Sequence, residues 1–118
     1  MEEKLNSYMN KIIETIGYGF QESIYQNALC YELRMNNHEI KNEVNFNVMY
    51  GSVELGNVRA DIIVDDKYII EMKTNLKIKP KDEIQLRKYL RLANINEGFL
   101  INIGEENYEV KAILKTEN

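Results

Sequence analysis

Asp61, Glu71 and Lys73 are residues whose types and spacing could do chemistry together, in the stretch "VRADIIVDDKYIIEMKT". Alternate residues of a strand share a face, so Arg59, Asp61 and Ile63 point one way, as do Ile69, Glu71 and Lys73 on the next strand. A three-residue turn, Asp65-Asp66-Lys67, pairs Val64 with Tyr68. It then sets Asp61 opposite Glu71 and Arg59 opposite Lys73. A two-residue turn would pair Asp61 with Ile70 and take Glu71 off that face. In the odd register two carboxylates stand side by side and repel unless a cation lies between them. A divalent ion would supply that charge, with Lys73 two residues along. Hard oxygen donors point to magnesium or manganese. The plain alternative is a solvated hairpin on which Asp61 and Glu71 sit near Arg59 and Lys73.

Two more polar residues fall on lines that should be apolar. In "GFQESIYQNALCYEL", Glu22 projects between Leu29 and Leu33, on the arc of Tyr25, at ~100° per residue. An unpaired carboxylate buried there is costly, so it should meet a cation, a metal or hydrogen-bond donors. Alternatively, Glu22 faces water in the first helical turn and favours the dipole. On the later helix, Gln85 projects between Leu92 and Tyr89, while Arg87, Lys88 and Arg91 point elsewhere. A glutamine on a packing face needs partners. It either caps a backbone group or reaches a site containing Lys73.

These residues require positioning elements. Residues 2 to 14 read as a first helix, ended near Gly17 and Gly19, and residues 20 to 36 as a longer second helix stopped by Asn36-Asn37. "EIKNEVNFNVMY" alternates and reads as a strand to Tyr50. "VELGNVRADIIV", bent near Gly56-Asn57, and "YIIEMKT" follow as strands. "NLKIKP" is a loop, and Pro80 suits the first turn of a helix running to Ala93. "GFLINIG" is a buried strand, and "EENYEVKAILKTEN" is either an edge strand or a short terminal segment. The order α-α-β-β-β-α-β makes a single α/β (α+β) domain over residues 1–118, a mixed sheet with helices against it.

Composition narrows the classes. The hydrophobic share of 44% and charged share of 29% suit a soluble globular domain. No apolar run nears the ~20 residues of a membrane span, and "MEEKLNSYMN" has no signal h-region. The expectation is an intracellular, cytoplasmic protein with no membrane partner. Cys30 is the sole cysteine and His38 the sole histidine. An intrachain disulfide is thereby excluded, and structural zinc and Cys/His catalysis are poorly supported. Cys30 reads as a small helix residue and His38 as part of a solvated turn. The net charge of −4 argues mildly against coating nucleic acid. Yet residues 73–91 hold Lys73, Lys77, Lys79, Lys81, Arg87, Lys88 and Arg91 against Asp82 and Glu83, a local charge of +5. That stretch is either a solvated basic face or a landing strip for phosphates. The eight tyrosines also suit an interface, and so a structural or oligomerisation domain.

Gly19, Glu22 and Tyr25 together spell G-x-x-E-x-x-Y. With "RAD" ending in Asp61, "EMK" with Glu71 and Lys73, "QLRKYLRL" with Gln85, and "GFLINIG", the sequence resembles the GxxExxY family, a branch of the PD-(D/E)XK nuclease superfamily. The resemblance runs from about residue 4 to residue 104. "VRAD" replaces the Pro-Asp of the superfamily's name. The resemblance implies a restriction-endonuclease-like fold with a four-stranded mixed core sheet. It implies metal ligation by Asp61, Glu71 and the Met72 carbonyl, with Glu22 as a ligand or acting through water. Lys73 would orient or help deprotonate the attacking water, and Gln85 would be an accessory site residue. Gly19 and Tyr25 would pack around Glu22, so that Glu22 points toward Asp61, Glu71 and Lys73. The expected partner is nucleic acid, DNA in preference to RNA, bound at Lys77, Lys79, Lys81, Arg87, Lys88 and Arg91, with a homodimer able to hold both strands. A catalytically silent binding module on the same fold is the alternative.

Overall fold

The computed structural model describes residues 1–116; the last two residues of the predicted terminal segment, 117 and 118, lie outside the described residues. Helices α1 (Glu2–Ile16) and α2 (Glu22–Met35) precede strands β1 (Ile40–Tyr50), β2 (Val53–Val64) and β3 (Tyr68–Lys73). Helix α3 (Pro80–Ala93) then leads to β4 (Glu97–Ile103) and β5 (Tyr108–Leu114). The sheet has five strands in the order β1-β2-β3-β4-β5, not the four of the expected core. β5 is the edge strand that was one reading of the C-terminal segment. Tyr108, Val110 and Ala112 alternate inward against the α1–α2 layer, which gives the segment its period of two. Among the described residues only β3 and β4 are parallel, joined across α3; every other pairing is antiparallel.

The sheet is covered on both faces. Leu5, Met9, Tyr25, Leu29 and Leu33 of α1 and α2 pack on Ile62, Ile70, Met72, Phe99 and Ile101. Leu86, Tyr89 and Leu90 of α3 pack on Ile63, Ile69 and Leu100 from the other side. Central strands buried on both faces lose their polar alternation, which is why "GFLINI" is apolar apart from Asn102. Lys11 reaches the buried Glu32 at 3.1 Å and ties α1 to α2. Among the described residues no helix is long and apolar enough to cross a membrane.

Three local features differ from the sequence reading. α2 begins at Glu22 rather than at residue 20. The Tyr25 hydroxyl donates to Gly17 O (2.8 Å) and accepts from Phe20 N (3.3 Å), giving the connecting backbone the partners a further helical turn would have supplied. The predicted bend in β2 is a bulge at Leu55, where the pairing shifts between Val48 and Met49, next to Gly56. His38 is not a solvated turn residue: its Nδ1 meets Asp65 Oδ2 at 2.7 Å, and Asp65 Oδ1 accepts Glu39 N–H. These contacts hold the turn after β2, in which Asp65 and Asp66 adopt φ values of 55° and 51°, a left-handed conformation that Asp tolerates.

Gly98 lets α3 seat on the sheet. A Cβ there would lie 2.7 Å from Ile69 O and 3.1 Å from Leu86 Cδ1, inside contact distance of backbone and core alike. Gly98→Ala should therefore destabilise the protein by ~1–3 kcal/mol through overpacking, read as a lowered denaturant midpoint with unchanged slope.

Candidate active site

The site begins at a break in the sheet. Val64 pairs with Tyr68, Ile63 with Ile69 and Ile62 with Ile70, the register of a three-residue turn. The ladder then stops, one step before Asp61 and Glu71 would face each other. On the other side, β1 and β2 pair at Asn42–Ile62 and Val44–Ala60 but not at Glu43–Asp61, and Glu43 has φ 50°. Both strands change face across this gap. Ile40, Ile62 and Val64 pack toward α1 and α2, whereas Val44, Phe46, Val58 and Ala60 pack toward α3.

Asp61 is thus released from both ladders, and its backbone groups find other partners, as buried peptide groups must. Its N–H donates to Glu71 Oε1 at 2.9 Å. Its carbonyl accepts from Gln26 Nε2 at 3.3 Å. In return, Met72 N–H donates to Asp61 Oδ2 at 3.1 Å. Each carboxylate holds a backbone N–H of the opposing strand, so the two acids meet where the strands part. Arg59 does not face Lys73, as continued pairing would have required. It pairs with Asn45 and reaches Glu43 at 3.3 Å.

Glu71 is 3% exposed. Burial and the adjoining Asp61 carboxylate push its carboxyl up to about 8, with Lys73 pulling the other way. A free carboxylate would normally lie near 4.3. The donor set fits a hard divalent cation. Two carboxylates repel in a buried gap, and every donor is oxygen.

Lys73 is half-buried at the end of β3. It opens into a cleft of about 320 Å³ that it lines with Lys81, Asp82, Gln85 and Lys88 of α3. Gln85 stands one helical turn before Tyr89, and Tyr89 lies close enough to Glu71 and Asp61 for their charges to raise its phenol further than burial alone. Asp82 Oδ2 accepts Lys79 N–H at 2.9 Å and caps α3, fixing where these side chains start.

Glu22 departs from its expected place. It is exposed, and its Oε1 accepts from Thr74 N (3.2 Å) and Thr74 Oγ1 (3.4 Å), the residue after Lys73. It does not point into the Asp61–Glu71 pair. Among the described residues no three His, Cys, Asp or Glu side chains come together as a metal cluster. The physical reason is that Glu22 is the first residue of α2, where the helix end is open to solvent. Gly19 does not supply close approach either. A Cβ there would meet nothing within 4 Å, and its φ of 101° is what requires glycine.

The predicted phosphate contacts divide into groups. Lys81 and Lys88 share the Lys73 cleft. Lys77 and Lys79 line a separate cleft beside α2. Arg87 is engaged with Glu83 (3.7 Å), which also takes Lys111 of β5 (2.9 Å). Arg91 is exposed near the far end of α3.

Three residues that support the site escaped the sequence reading. Gln26 lies one turn after Glu22, a spacing that could have signalled a shared face. Tyr89 stands four residues after Gln85 but reads as core. Asn102, 4% exposed, bonds both Asn75 N and Asn75 O at 3.0 Å and clamps the loop after Lys73. Its signal was a lone amide in an apolar strand.

A mixed sheet whose antiparallel strands part around two acids, with a lysine two residues on, is the arrangement of a restriction-endonuclease-like domain. The chain belongs to the PD-(D/E)XK nuclease superfamily, which its sequence matches over residues 1–113. Members of this superfamily generally use divalent metals, and membership supports a nuclease-type function. The fold resembles the crystal structure of SSO0001 (TM-score 0.61, 26% identity), over 81% of this chain and 50% of that one. It also resembles an alkaline exonuclease, LHK-Exo, from Laribacter hongkongensis (TM-score 0.59, 13% identity), over 80% of this chain and 56% of that one. The chain thus spans about half the length of these two structures. No curated protein sequence matches it.

The raised Glu71 carboxyl makes stability depend on pH. Unfolded, the group titrates near 4.5; folded, near 8. The folded state therefore holds the extra proton between those values. The stabilisation from neutral Glu71 is complete below about pH 4.5 and is lost as pH rises through about 8. In EDTA, the melting temperature of the wild type should fall relative to Glu71→Gln across this window, with the variant the more stable at pH 8.

Proposed function

We propose that the chain is a divalent-metal-dependent nuclease of the GxxExxY branch, hydrolysing phosphodiester bonds of nucleic acid, DNA in preference to RNA. The observation that carries this reading is the Asp61–Glu71 pair beside Lys73, with Glu71 buried, in a gap where two carboxylates are costly without a cation. Asp61 and Glu71 would hold magnesium or manganese, with the Met72 carbonyl as a further oxygen donor. When bound, the ion would polarise a phosphate oxygen and make a water more acidic.

The protein's own groups do the remaining work. Glu71 gives up its proton to become a ligand, so metal affinity rises with pH toward about 8. Lys73 orients the attacking water and places positive charge beside the phosphate. Gln85 offers an amide to the same cleft. Lys81 and Lys88 hold neighbouring phosphates there, and Lys77 and Lys79 continue the track beyond Thr74. Glu22 acts from the rim, holding Thr74 and hence the end of β3, rather than as a direct ligand. Arg87 has a structural role with Glu83, and Arg91 adds long-range attraction only. A second copy of the domain would serve duplex substrates by addressing the other strand.

Cleavage of single-stranded, duplex and flapped DNA and of RNA should appear with magnesium or manganese and vanish in EDTA. Glu71→Ala and Lys73→Ala should each lower the rate by about 100-fold or more. Activity that survives EDTA, or that neither substitution changes, would refute the proposal. Steeply salt-dependent binding without cleavage in either metal would make the protein a silent nucleic-acid-binding module.

A further inference from the structure

The cleft beside α2 is distinct from the one that holds Lys73, and it is larger, about 700 Å³. Such a volume takes a ligand of nucleotide size. Thr74 and Asn75 line it, so it begins one residue past Lys73. Its walls combine Phe20 from the turn before α2 with Lys77 and Lys79 from the loop before α3.

Phe20 is 48% exposed, and the structure holds its ring in place. The ring meets Tyr25 edge-on, with centroids 6.2 Å apart and planes at 72°. Tyr25 is fully buried, and its hydroxyl bonds the backbone on both sides of the turn, at Gly17 and Phe20. Whichever ring gives its edge, such a contact covers at most one face of Phe20 and leaves the other for a planar group. The opposite wall is equally fixed, because Asn102 clamps Asn75 by both backbone groups and Glu22 holds Thr74. Lys77 and Lys79 are exposed and make no ion pair among the described residues. Glu105 places one carboxylate on the lining against these two cations.

Resting on the nuclease reading above, we infer that this cleft binds an unpaired nucleotide next to the scissile position. The base stacks on Phe20, and Lys77 and Lys79 hold flanking phosphates. Bases inside a duplex already have both faces stacked, whereas those of a single strand are free to stack on an aromatic ring. The cleft therefore selects single-stranded or frayed nucleic acid over continuous duplex. Stacking and phosphate contact are common to DNA and RNA strands, so the sugar is left to the test.

Anisotropy of labelled oligothymidylate, oligouridylate and a DNA duplex, measured in EDTA, separates binding from cleavage. The wild type should bind at least one single strand more tightly than the duplex. Phe20→Ala should weaken that binding by about ten-fold or more, with duplex affinity nearly unchanged. Removing both lysines should flatten the salt dependence on single strands by about 1.4 in log–log slope, at ~0.7 per phosphate. The chain has no tryptophan, so Phe20→Trp should restore binding and report it directly, its fluorescence quenched by single strands and not by duplex. Single-strand affinity unchanged in Phe20→Ala, or lost equally with duplex affinity, overturns the inference while leaving hydrolysis at Asp61 and Glu71 standing. A wild type that neither binds nor cleaves any of these substrates overturns the nuclease reading as well.

Discussion

Two acids held where β2 and β3 part, one of them buried, are the constraint around which this domain is organised. Asp61 and Glu71 each accept a backbone N–H from the opposing strand. The bonds are possible only because β2 and β3 stop pairing after Ile62 and Ile70. A continued ladder would have satisfied those N–H groups with backbone carbonyls and left the acids without donors. The break therefore holds the acids together, and burial of Glu71, with the Asp61 charge beside it, keeps its proton on to about pH 8. A cation bound there would favour the ionised form and displace that proton.

The rest of the fold keeps that gap from closing or flooding. From one face, α2 sends Gln26 to the Asp61 carbonyl and Glu22 to Thr74. From the other, α3 covers the pair with Tyr89 and brings Gln85 and Lys88 to the cleft opened by Lys73. β4 runs parallel to β3 and fixes its end through Asn102. Gly98 on the same strand allows α3 to lie close enough to do its part. Apolar packing covers β3 and β4 on both faces, and Glu71 and Lys73 sit at the end of β3, where the clefts open.

Much of this was legible in the residues. Alternation and turn length left two registers, of which only that of a three-residue turn brings Asp61 toward Glu71, and the structure adopts it. Helical projection flagged Glu22 and Gln85 as polar groups on apolar lines; Glu22 binds Thr74 beyond β3, and Gln85 lines the cleft opened by Lys73. Projection failed on depth. It gives direction around a helix axis but not distance from its end, so Glu22 was expected inside the site and lies at its rim. Gly19 was read as a contact and is a conformational requirement, since space around a residue is not visible in a sequence. Arg87 was counted among the phosphate contacts because its charge was visible and its partner Glu83 was not weighed.

The register of the Asp65–Lys67 turn and the pairing of β5 waited on the structure, whereas the sequence by itself determined the element order as far as β4 and the set of polar residues that had to find partners. These follow from local periodicity and from the cost of burying an unpaired charge. Only the tertiary structure decided where the ladders break, which backbone groups the break frees, and that Gln26, Tyr89 and Asn102 come to serve them. Those outcomes depend on the approach of elements far apart in the chain, α2 to β2 and β4 to the loop after β3. No local pattern encodes such approaches, because it is the packing of both helical layers on one twisted sheet that sets them.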